Sequence, residues 1–75
     1  MELWRYRGQI VSILFTDGGT FVGYVDIYHD EEDTANGIAA LTCIPLGGDF
    51  SIALDIEAHE IAKIEIVTTK PPINI

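Results

Sequence analysis

The chain has little with which to cross-link itself or hold a metal. Cys43 is its only cysteine, so no intramolecular disulfide can form, and the apolar stretch around it predicts a buried, inert thiol. His29 and His59 are its only histidines and form no cluster with that cysteine. No metal and no cofactor is expected. Basic residues are equally scarce: Arg5, Arg7, Lys63 and Lys70 stand against twelve acidic residues, a net charge of −8. Phosphate neutralisation by Lys and Arg supplies most nucleic-acid affinity. The global field therefore repels nucleic acid and anionic membranes, and no DNA partner is expected. Arg5 and Arg7 leave one small basic patch near the N-terminus. No run approaches the roughly 20 apolar residues of a membrane span, and MELWRYRG lacks the apolar centre of a signal peptide. A cytoplasmic protein without a membrane partner is the expectation.

A hydrophobic fraction of 48% over 75 residues excludes an intrinsically disordered chain. A chain this short buries only about 60% of the surface its unfolded form exposes. Without disulfide or metal, self-association is the remaining aid to stability. One domain is expected over residues 1–69. Lys70-Pro71-Pro72 opens an extended tail over 70–75, since two prolines cannot donate to a ladder.

What the sequence does contain is short strands and tight turns. Val11, Ile13 and Phe15 alternate with Ser12, Leu14 and Thr16, a period of two that predicts a strand over Gln9–Thr16. Asp17-Gly18-Gly19 supplies a residue for positive φ, and a second strand follows over Thr20–Tyr28. Gly23 inside that strand marks a sharp bend or a close backbone approach. After the polar loop HDEEDTAN, a third strand is expected over Gly37–Leu46, with Pro45 at an edge or terminal position. Gly47-Gly48-Asp49 makes a second turn. A fourth strand runs over Phe50–Glu57, with Phe50, Ile52, Leu54 and Ile56 sharing a face. A one-turn kink at Ala58–Ile61 leads to a last strand over Ala62–Thr68. Glu2–Arg7 forms a helical turn or an extended lead-in, and Trp4 is expected to seal one end of the fold. The sum is a mostly β protein: a five-stranded, strongly bent antiparallel sheet closing into a small SH3-like barrel.

The segments Gly8-Gln9, Val11, Ile13, Phe15, Asp17-Gly18, Phe21, Gly23, Val25 and Tyr28 together resemble the first conserved block of the Sm and Sm-like proteins. Ile56 to Ile66, with Ile61 and Ile64, resembles a degenerate second block, so the likeness covers about Gly8 to Val67. It implies a bent five-stranded barrel preceded by a short helix. It also implies rings of six or seven subunits, the fourth strand of one pairing with the fifth of the next, and single-stranded RNA bound by two loops. The family's loop Asn has its counterpart in Asn36. The Arg-Gly step of its second block falls near Ala58-His59-Glu60, where there is no arginine, and Glu57 and Glu60 flank the His59 ring.

The leading expectation is therefore a noncatalytic Sm-like barrel that acts by homo-oligomerisation, as a ring in the family manner, or by docking a protein. The oligomer edges would carry Phe50, Ile52, Leu54, Ile64 and Ile66. Asp30, Glu31, Glu32 and Asp33 would form an acidic loop for a basic protein partner. RNA binding by a ring is the alternative, through Asn36, His59, Lys63, Arg5 and Arg7. Ser12 and Ser51 sit in strands without a motif, and neither glycine pair opens a helix as a phosphate-binding loop must, so no enzyme is expected. A ring of six would multiply the charge of −8 about sixfold, which favours moderate ionic strength or a smaller oligomer.

Overall fold

The hairpin and its internal glycine set the curvature of the sheet. In the computed structural model, which describes residues 2–47 and 52–67, β1 (Ile10–Phe15) and β2 (Thr20–His29) pair antiparallel with Ile13 opposite Phe21 and Val11 opposite Gly23. Gly18 takes the turn's positive φ, 94°. The Asp17 carboxylate accepts the Gly19 N–H at 2.8 Å, and the Phe15 N–H donates to the Gly19 carbonyl at 2.8 Å. At Gly23 a Cβ would lie 2.5 Å from the Ile44 carbonyl oxygen and equally close to the Phe21 ring. The close approach expected of this glycine is the one observed.

β3 (Ala40–Pro45) pairs with β2, β4 (Leu54–Glu57) pairs with β3, and β5 (Ile61–Ile66) pairs with β1. The sheet is wholly antiparallel in the order β4-β3-β2-β1-β5. Pro45 ends an interior strand, where its missing N–H costs no continuing ladder. Register shifts between Leu14 and Phe15 and between Val25 and Ile27 add bends. Leu3, Val11, Ile13, Val25, Leu41, Cys43, Ile56 and Ile61 meet in one buried cluster on the concave face. Each large apolar side chain there contributes about 1.5–3 kcal/mol by leaving water. Among the described residues, no helix is long and apolar enough to cross a membrane.

Barrel closure is where the structure departs from expectation. β4 and β5 lie at opposite edges of the sheet yet are joined by a single 3₁₀ turn, Ala58–Glu60. Four residue steps from Glu57 to Ile61 span at most about 14 Å, so the edges must converge there. The turn itself bridges them: the Ala58 N–H donates to the Ala39 carbonyl at 2.8 Å, and the Glu60 carbonyl accepts the Thr16 N–H at 2.9 Å. No β4–β5 ladder forms among the described residues. The sheet is curled, not closed.

Three further expectations are corrected. Trp4 does not seal the fold: it is 59% exposed, and Leu3 beside it, 1% exposed, is the anchor of the 3₁₀ turn Leu3–Tyr6. The fourth strand begins at Leu54, not Phe50. Ile52 and Ala53 precede it outside any strand, and of the described residues of the shared face only Ile56 is buried, with Ile52 and Leu54 exposed. β5 begins one residue earlier than expected, at Ile61, whose side chain joins the core. Gly48 and Asp49 of the second turn, Phe50 and Ser51, Thr68, and the tail 70–75 lie outside the described residues.

Candidate functional site

Pairing across three strands builds a polar row on the sheet's other face. His29 at the end of β2 lies opposite Ala40 of β3, which lies opposite Glu57 of β4. Two residues along, Ile27, Thr42 and Asp55 form the next row. Because side chains alternate along a strand, both rows face the same way. Ala40 fills little space between His29 and Glu57. A cleft of about 440 Å³ results, lined by His29, Asn36, Ala40, Asp55, Glu57 and Glu60 among others.

The Thr42 hydroxyl lies 2.7 Å from Asp55 Oδ1 and 2.7 Å from His29 Nε2. A carboxylate only accepts, so the hydroxyl proton goes to Asp55 and His29 Nε2 donates to the threonine oxygen. The cover of the cleft comes from the loop between β2 and β3. Glu31–Asp33 form a 3₁₀ turn there, and the Thr34 hydroxyl donates to the Glu31 carbonyl at 3.3 Å. Asn36 Oδ1 accepts the Ile38 N–H at 3.1 Å, which turns Asn36 Nδ2 toward Glu57 Oε2 as a donor.

Glu57 is the hub. Besides Asn36, its carboxylate faces His59 Nε2 at 3.2 Å. It also closes a reciprocal capping box: the Glu57 N–H donates to Glu60 Oε1 at 3.1 Å, while the Glu60 N–H donates to the Glu57 side chain. Asp55, Glu57 and Glu60 thus bring three carboxylates to a cleft whose lining, among the described residues, includes no Lys or Arg. Tyr28, next to this end of the sheet, has its phenol pushed above its ordinary range by packing and by the nearby charges of Asp30 and Glu31.

Of the residues singled out from sequence, Asn36 and His59 are brought together, both on Glu57. Lys63 is not among them; it pairs with Glu65 at 3.1 Å on β5. Arg5 and Arg7 sit at the N-terminal 3₁₀ turn, and neither lines the cleft. Asp30–Asp33 are all exposed and, among the described residues, form no ion pair. Leu54 and Ile66 lie exposed on the two edge strands, and Ile64 is half-buried against the core. Phe50 lies outside the described residues. Thr42, Asp55, Glu57 and Glu60 were not anticipated as site members. Only the register of β3 against its neighbours could have gathered them. Comparison with protein-family models, with curated proteins and with solved structures yields no match to this chain.

Proposed function

We propose that this chain is a noncatalytic Sm-like β module that works by self-association along its two sheet edges. The observation that carries this is the strand order: β4 and β5 are the outermost strands, and among the described residues each has one side without a ladder. Unpaired backbone groups on an edge are a template for another strand. In the Sm resemblance these are the two strands that meet between subunits. Leu54 on β4 and Ile66 on β5, 43% and 48% exposed, supply apolar surface beside those edges.

Light scattering across a concentration series tests the proposal. A mass that is a multiple of the monomer's, reduced to monomer by Leu54→Lys or Ile66→Lys, is the expected result. Both side chains are exposed, so neither lysine enters the core. A monomeric mass at every concentration overturns it. The exposed acidic loop extends the reading to a basic protein partner, and conversion of Asp30–Asp33 to serine should abolish capture of that partner.

RNA binding by an oligomeric ring is the second reading, and one observation favours it: Asn36 and His59 both contact the Glu57 carboxylate. Retention on a single-stranded RNA column at low salt would support it, and no retention there would remove it.

A further inference from the structure

We infer that Glu57, His59 and Glu60 form a site for a zinc-type divalent cation beside the cleft. One imidazole nitrogen and two carboxylate oxygens lie within 4.8 Å of one another. A tetrahedral ion with ligands at 2.0–2.2 Å separates its donor atoms by roughly 3.3 Å. The His59 Nε2 to Glu57 Oε1 distance, 3.2 Å, already has that value. The widest gap in the triangle needs to close by at most about 1.5 Å to match it. A mixed nitrogen and oxygen set with room for water is the donor chemistry of a borderline cation and not that of calcium, which prefers oxygen alone.

Two further features point the same way. The ligating carboxylates are held from behind. Asn36, reaching from the loop before β3, donates to Glu57, and the capping box fixes Glu57 and Glu60 against each other's backbone N–H. Hydrogen-bonded carboxylates of this kind orient a metal's first ligands. The electrostatics also favour a cation. Glu57 and Glu60 flank one 3₁₀ turn, Asp55 faces the same cleft, and among the described residues no Lys or Arg lines it. A bound divalent ion would offset this negative charge, and water would complete its coordination.

This inference is independent of self-association, since none of the three donors is one of the apolar edge residues Leu54 and Ile66, and zinc binding is read by calorimetry, not by mass. Titration of the intact chain with Zn²⁺ should give saturable binding, and Co²⁺ should develop the visible absorption of a tetrahedral site. His59→Ala should weaken Zn²⁺ binding at least about tenfold, and Asn36→Ala about 10- to 100-fold, as loss of an outer hydrogen bond does. His59 is 56% exposed, so its removal leaves the core intact. Glu60→Gln, which keeps an oxygen for the Glu57 N–H, should also weaken binding. Conversion of Asp30–Asp33 to serine should leave it unchanged. Absence of saturable binding at millimolar Zn²⁺, undiminished affinity in His59→Ala, or loss of binding in the acidic-loop variant would each overturn the inference.

Discussion

Gly23 and Cys43 show how far one side chain controls this sheet. At Gly23 the obstacle to any larger residue includes the Ile44 carbonyl, 2.5 Å from an added Cβ. A backbone atom cannot rotate away as a side chain can, so β2 and β3 would have to separate. Gly23→Ala should therefore destabilise the fold by roughly 1–3 kcal/mol, the usual cost of overpacking, as a lower urea midpoint. Cys43 sits with no exposed surface, and burial, with a smaller contribution from Asp55, pushes its thiol from 9.0 to about 11. Below pH 9 the thiol is protonated folded or unfolded and stability is undiminished. Between about pH 9 and 11 the unfolded chain releases the proton while the folded one holds it, so stability falls as pH rises. Denaturation across that range should show a steeper loss for the parent than for Cys43→Ala. Equal slopes would mean that the thiol is not the cause.

At the scale of elements, the N-terminal 3₁₀ turn separates two neighbours that composition alone would treat alike. Leu3 reaches the core and Trp4 does not. Leu3→Ala should cost about 2–5 kcal/mol, as core truncations do, whereas Trp4→Ala should stay within about 0.5 kcal/mol. Paired thermal melts read the difference directly. The sequence favoured Trp4, but a four-residue turn points only some of its side chains inward, here Leu3 fully and Tyr6 partly, and its phase depends on how the chain enters β1. The β1–β2 hairpin was legible because Asp17-Gly18 and the alternation around it are local signals. β4 was not, because Ile52 and Leu54 carry a strand's alternation without a partner strand opposite Ile52. The candidate site was the least legible. Asn36 and Glu57 are 21 residues apart, and His29, Thr42 and Asp55 meet only after the register shift between Val25 and Ile27. Nothing in local composition announces such a shift.

At the scale of the whole molecule, charge decides between the two ways this chain could assemble. With a net charge of −8, copies repel one another, and edge pairing must overcome that repulsion. Screening shortens its reach from about 30 Å at 0.01 M salt to about 8 Å at physiological ionic strength. If apolar contact and strand pairing at Leu54 and Ile66 drive association, the oligomer should grow as salt rises from about 0.01 to 0.15 M. Light scattering at matched protein concentration should show the mass increase. RNA binding carries the opposite sign. Each phosphate neutralised by a Lys or Arg releases a counterion, so affinity falls with salt. Arg5, Arg7 and Lys63 could engage few phosphates, and Lys63 already pairs with Glu65, so the slope would be shallow but still negative. A mass that rises with salt while retention on RNA stays absent would leave edge pairing as the mode of assembly. A mass that falls with salt would mean that ionic contacts hold the oligomer, and the role given to Leu54 and Ile66 would be wrong.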